Sequence, residues 1–94
     1  MNLVIDGLKI NSEDDLHDLF VKELNLPGWY GRNLDALWDV LTGMISRPLK
    51  ITWMNSDESR RKLARYENIV GVLREVEERD KSLGKADAFS LLLC

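Results

Sequence analysis

The chain has 94 residues, of which 45% are hydrophobic and 31% charged, with a formal net charge of −3. These values are typical of a single folded domain spanning residues 1–94, and they argue against a disordered chain. The lack of a long apolar run or a basic leader segment argues against a membrane partner and predicts a cytoplasmic location, while the negative charge argues against nucleic acid as a direct partner.

The first quarter of the chain predicts a strand and a helix. Residues 2–6 are predicted to form a short strand, and their aliphatic run suggests burial on both faces. Asn11 or Ser12 can cap the first helix, which Pro27-Gly28 should end. The apolar residues of this helix recur at helical spacing and are Leu16, Leu19, Phe20 and Leu24.

A second helix follows a loop that contains Trp29 and Tyr30. Asn33 is a good cap for its start, and Gly43 is predicted to supply a left-handed residue at its end. The predicted buried stripe of this helix consists of Leu34, Leu37, Trp38 and Leu41.

The second half of the chain predicts a strand, two helices and a last strand. Pro48 opens a strand at residues 49–53, a short basic helix starts near Ser56, and a longer helix breaks at Gly84 before a strand at residues 88–93. The order β-α-α-β-α-α-β places helices between successive strands. We therefore expect an α/β fold with a three-stranded parallel sheet packed with about four helices.

Residues that carry catalysis or bind metals are scarce. No phosphate-binding glycine loop is present, and one histidine with one cysteine cannot build a metal centre, so we expect no cofactor and no metal. His17 lies off the apolar stripe among acidic residues, so it is predicted to be solvated. Cys94 has no second cysteine for an internal disulfide.

Charge is distributed unevenly along the chain. Residues 1–45 hold eight acidic and three basic residues, a charge of −5, whereas residues 46–94 carry +2. A chain polarised in this way suits the electrostatic steering of a basic partner.

Two aspartates on the second helix stand out. At about 100° per residue, Asp35 and Asp39 share one face with Thr42, away from the apolar stripe. Like charges four residues apart cost a few tenths of a kcal/mol, so helix stability does not explain them. The pattern fits either a solvated polar face or a binding surface. The loop aromatics Trp29 and Tyr30 favour binding, unless they fold back onto the protein.

The segment around this helix resembles the barstar family, intracellular inhibitors of the secreted bacterial ribonuclease barnase. The matching stretches are Lys22-Glu23-Leu24, Leu26-Pro27, Tyr30-Gly31, Asn33-Leu34-Asp35-Ala36-Leu37-Trp38-Asp39 and Leu41-Thr42-Gly43. The likeness extends to Asp15-Leu16-His17, Pro48-Leu49 and Arg74-Glu75. The family fold is a three-stranded parallel sheet with helices against it. The resemblance implies that the second helix and the preceding loop enter a ribonuclease active site, with carboxylates in place of substrate phosphates.

The resemblance also assigns roles to residues. Asp35 and Asp39 would replace the phosphates, and Glu75 would be an outlying acidic contact. The other implied partner-binding residues are Trp29, Tyr30, Gly31, Asn33, Trp38, Thr42, Gly43 and Met44. At three positions the chain departs from the family, with Trp29 for a tyrosine, Met44 for a tryptophan and Val40 for a cysteine. These changes bear on which barnase-type ribonuclease is bound.

The leading hypothesis is therefore a monomeric ribonuclease inhibitor or immunity protein of a toxin–antitoxin pair, and not an enzyme. It would form a 1:1 complex with a basic, extracellular-type ribonuclease. Two alternatives stay open. One is a diverged interaction module that binds a protein other than a ribonuclease, and the other is a small hydrolase that uses Asp35 and Asp39.

Overall fold

The computed structural model describes residues 1–94 and has the element order β-α-α-β-α-α-β. The strands are β1 (Asn2–Asp6), β2 (Lys50–Met54) and β3 (Ser90–Leu93). The helices are α1 (Glu13–Glu23), α2 (Leu34–Gly43), α3 (Ser56–Lys62) and α4 (Tyr66–Ser82). The predicted α/β fold with a parallel three-stranded sheet is confirmed. No helix combines the length and the apolar character needed to cross a membrane.

The sheet has the order β1-β2-β3, and Ile51 in the central strand pairs with Leu3 and Leu91. Both crossovers run in the same direction across the sheet. Because such crossovers are right-handed, both helical pairs lie on one face. On the other face Val4 and Leu92 are exposed. The prediction that β1 is buried on both faces is therefore wrong.

The hydrophobic core lies between the sheet and the helices, and its largest fully buried side chains are Trp53, Phe20 and Phe89. The core face of α2 differs from the predicted stripe. Its buried residues are Leu37, Val40 and Leu41, whereas Leu34 and Trp38 are only partly buried against the core. The stripe is rotated toward Val40, and α2 packs against α4.

Both predicted helix ends are corrected by the structure. α1 ends at Glu23, ahead of Pro27-Gly28, because Asn25 adopts a left-handed φ of 51° and Leu26 N donates to Val21 O at 3.0 Å. Gly43 is not left-handed. The α2 end is instead closed by the amides of the next two residues, Met44 and Ile45, which both donate to Val40 O.

Candidate protein-binding site

The start of α2 is fixed by a side-chain cap. Asn33 Oδ1 accepts the N–H of Ala36 at 2.8 Å, and Asn33 O accepts the N–H of Leu37 at 2.9 Å. Such a cap satisfies a backbone donor that the helix itself leaves without a partner. With the start fixed and the apolar face buried, Asp35 and Asp39 point to solvent, and both are exposed. The predicted placement of these two carboxylates on a free face is confirmed.

Neither carboxylate is neutralised by the protein's own bases. Asp35 and Asp39 take part in none of the salt bridges of the chain. Arg65 borders the same surface cleft as Asp35, but its Nε donates to Glu13 Oε1 at 3.0 Å. The last turn of α2 contains no basic residue. This helix face therefore carries uncompensated negative charge.

An apolar pocket of about 340 Å³ adjoins Asp39. The residues that line it are Trp29, Gly31, Ala36, Asp39, Val40 and Met44. Trp29 is 71% exposed and Met44 is 48% exposed, so two large apolar side chains border the pocket without being covered by the fold. A carboxylate next to exposed apolar surface suits a cationic side chain with an apolar stem, such as arginine or lysine.

The loop before α2 is fastened to α1 by Arg32. Arg32 Nη2 donates to Asp14 Oδ1 and to Asp18 Oδ1, both at 2.7 Å, and to Asp14 O at 3.1 Å. The guanidinium holds the pKa of the Asp14 carboxyl below its usual range. This contact was not predicted from the sequence, although Asp14 and Asp18 lie one turn apart on α1, a spacing that suits a shared cation but does not identify it.

A second fastening lies beneath the loop, where His17 and Tyr30 are both buried. His17 Nδ1 and the Tyr30 hydroxyl are 2.7 Å apart. Burial raises the pKa of Tyr30 to about 12. The prediction of a solvated His17 is wrong, because the loop folds over this side of α1. The Tyr30 side chain lies between the loop and α1 and is not part of the exposed surface. The neighbouring Trp29 is exposed.

The remaining residues singled out in the sequence are spread around α2. Gly31 and Gly43 are exposed, and Trp38 is partly buried. The Thr42 hydroxyl donates to Trp38 O at 2.8 Å, so its hydrogen is used within the helix. Glu75 is exposed on α4, which packs against α2, and it forms no salt bridge.

The chain is similar to known proteins along almost its whole length. The family model described as Barstar (barnase inhibitor) matches residues 1–93. A protein of Bacillus subtilis (strain 168) named "Putative ribonuclease inhibitor YrdF" is 36% identical over 92 residues, which cover 97% of this chain and 96% of that protein.

Proposed function

The chain belongs to the barstar family of barnase inhibitors, and we propose that it blocks the active site of a barnase-type ribonuclease with α2 and the loop before it. The observation that carries the proposal is the pair of exposed carboxylates, Asp35 and Asp39, which have no partner within the chain. A ribonuclease must hold the phosphates of RNA with cationic side chains, and those side chains also bind carboxylates.

Inhibition would follow from occlusion of the cleft. Asp35 and Asp39 would take the positions of substrate phosphates, and the desolvated charge pairs would slow dissociation. Arginine can bind a carboxylate with two parallel N–H groups, which adds geometric specificity to the charge attraction. Free negative charge on α2 would also speed the encounter with a basic enzyme, and this effect weakens as salt is added.

The loop and the helix are already ordered before any partner arrives, which supports tight binding. Asn33 caps α2, Arg32 fastens the loop to α1, and Tyr30 is hydrogen-bonded to His17 beneath it. A surface held in one geometry loses less entropy on binding. Exposed Trp29 and Met44 would add apolar contacts around the charged centre, as buried aromatics do in many interfaces.

In this proposal the protein acts as a monomeric immunity protein in the cytoplasm and forms a 1:1 complex with its ribonuclease. The protein would not be an enzyme. The departures at Trp29 and Met44 alter the edge of the pocket beside Asp39 and not the two carboxylates, so they would tune which barnase-type ribonuclease is bound.

RNA cleavage by barnase, and by other purified ribonucleases of the barnase type, tests the proposal. Wild-type protein should abolish cleavage at a 1:1 ratio. Asp39→Ala should raise Kd at least about 30-fold, because hot-spot residues contribute 2 kcal/mol or more. Asp87→Ala is the matched control, since it removes an exposed aspartate outside α2 that also has no salt bridge.

The control variant should inhibit as wild type does. Equal inhibition by wild type and Asp39→Ala, or no inhibition of any ribonuclease in the set, would contradict the proposal. Capture of a partner without nuclease activity, in a complex that Asp39→Ala weakens, would support the interaction-module alternative instead.

A further inference from the structure

A buried ion pair lies beside the C-terminal end of α2. The side chain of Arg47 is 8% exposed and that of Asp80 is 0% exposed. Arg47 Nε donates to Asp80 Oδ2 at 2.6 Å, and Arg47 Nη2 donates to Asp80 Oδ1 at 3.2 Å. Removing two charges from water costs about as much as their attraction returns, so stability alone is a weak reason for such a pair.

The other N–H groups of Arg47 reach the end of the binding helix. Nη2 donates to Leu41 O and Nη1 donates to Ile45 O, both at 2.8 Å. Carbonyls at a helix C-terminus lack partners within the helix. Since the last turn of α2 has no basic residue of its own, Arg47 supplies both the missing donors and the positive charge that this end favours.

Asp80 in turn fixes where the guanidinium lies. Its Oδ2 also accepts the N–H of Phe89 at 2.8 Å, which ties the end of α4 to the segment leading into β3. The hydrogen bonds from Arg47 hold the pKa of Asp80 below its usual range, so the carboxylate stays ionised at neutral pH. Asp80 on α4 therefore fixes the position of the Arg47 guanidinium, whose remaining N–H groups donate to carbonyls at the end of α2.

We propose that Arg47, held by Asp80, is a positioning residue for the binding face of α2. Asn33 anchors the first turn of the helix, and Arg47 anchors the last turn through Leu41 O and the chain just beyond it through Ile45 O. Asp39 lies two residues before Leu41, and its distance from the cap makes it the carboxylate that needs the second anchor. The binding test of this inference rests on the proposed function, whereas the hydrogen-exchange test on the free protein does not.

Binding kinetics with catalytically inactive barnase test the role. Arg47→Met should raise koff about tenfold while kon changes less than about twofold. A shifted last turn of α2 would weaken contacts that form after the first encounter, and such contacts set koff. Arg47→Lys keeps the charge without the planar fork, so its koff should lie between those of wild type and Arg47→Met. This variant also keeps the inference testable if Arg47→Met does not fold.

A stability control separates positioning from general destabilisation. Ser59→Ala removes the buried hydroxyl that accepts from Trp53 Nε1 at 2.9 Å and does not touch α2 through a side-chain hydrogen bond. It should lower the midpoint of urea unfolding and leave koff unchanged. If the Arg47 variants lower the midpoint in the same way but bind with wild-type koff, the positioning role is wrong.

Amide hydrogen exchange in the free protein gives a readout that needs no partner. In Arg47→Met, the Met44 and Ile45 amides should exchange at least about tenfold faster relative to the Leu37 amide, since the turn they close loses its anchor. That result would support the anchor even if wild-type protein bound no ribonuclease, which would overturn only the proposed function. Unchanged exchange would overturn the inference.

Discussion

α1 and α2 both carry acidic residues, but the fold uses them differently. On α1 every carboxylate of the first two turns is engaged by another part of the protein, and these residues are Glu13, Asp14, Asp15 and Asp18. Arg32 and Arg65 supply most of the partners. On α2 neither Asp35 nor Asp39 is paired. The acids of α1 hold the loop in place, while those of α2 remain free for a partner.

This contrast between the two helices affects how the charge distribution along the sequence is interpreted. A total of −5 over residues 1–45 suggests a broadly negative surface. On α1 two arginines, Arg32 and Arg65, compensate half of the charge of the four carboxylates, whereas on α2 no base compensates Asp35 or Asp39. Residue counts therefore indicate the sign of the partner, and only the ion pairs indicate where the partner would bind.

The largest expected effect comes from neutralising each acidic pair in turn. Asp35→Asn/Asp39→Asn should weaken ribonuclease binding by at least about a thousandfold, since two charge contacts within one interface are lost. Asp14→Asn/Asp18→Asn should change affinity far less and should lower stability, because Arg32 loses its partners. Titration calorimetry gives the affinities, and urea unfolding gives the stabilities.

The same two variants differ in their response to salt. The association rate of wild type and of the α1 variant should fall as ionic strength rises, whereas that of the α2 variant should be nearly flat. Two results would contradict the claim that only the α2 carboxylates are free for a partner. One is an equal loss of affinity in the α1 and α2 variants, and the other is a wild-type association rate that does not depend on salt.

Much of α2 could be predicted because its features are local. The cap at Asn33, the burial of Leu37 and Leu41, and the shared face of Asp35 and Asp39 all follow from helical geometry over a few residues. The order of strands and helices followed from hydrophobic periodicity in the same way. The core face of α2 was predicted less well, because the choice of buried side chains also depends on how the helix packs against later elements such as α4.

The contacts that support the site were not predictable in this way. The pairs His17–Tyr30, Arg32–Asp14 and Arg47–Asp80 join residues that are 13, 18 and 33 positions apart. No local pattern specifies such pairs, because they depend on how whole elements pack. His17 shows the consequence, since its acidic neighbours in sequence predicted solvent while the loop that covers it comes later in the chain.

The buried His17–Tyr30 contact gives the next largest effect. Tyr30→Phe leaves a buried histidine nitrogen without its partner, so the free energy of unfolding should fall by about 1–3 kcal/mol. Ribonuclease affinity measured on the folded protein should change less than about threefold, because Tyr30 is covered by the loop. Urea unfolding and binding kinetics provide the two measurements.

The burial of Tyr30 also predicts how the stability of the fold depends on pH. Since burial raises the pKa of Tyr30 to about 12, the neutral phenol stabilises the fold below pH 10, and this contribution is lost as pH rises from 10 toward 12. Tyr30→Phe should lack that component of alkaline destabilisation. A variant with the full wild-type loss over this range would show that Tyr30 does not ionise as the structure requires.

The smallest expected effect concerns Thr42, which shares the face of Asp35 and Asp39 but is engaged by its own helix. Its hydroxyl donates to Trp38 O at 2.8 Å, so it already has a partner within the protein, as the α1 carboxylates do. Asp35 and Asp39 have none. Thr42→Ala should change Kd less than about twofold, because an interface residue without a free donor contributes little. A tenfold loss would mean that the hydroxyl leaves Trp38 O to contact the partner, and Thr42 would then join the two carboxylates as a polar contact.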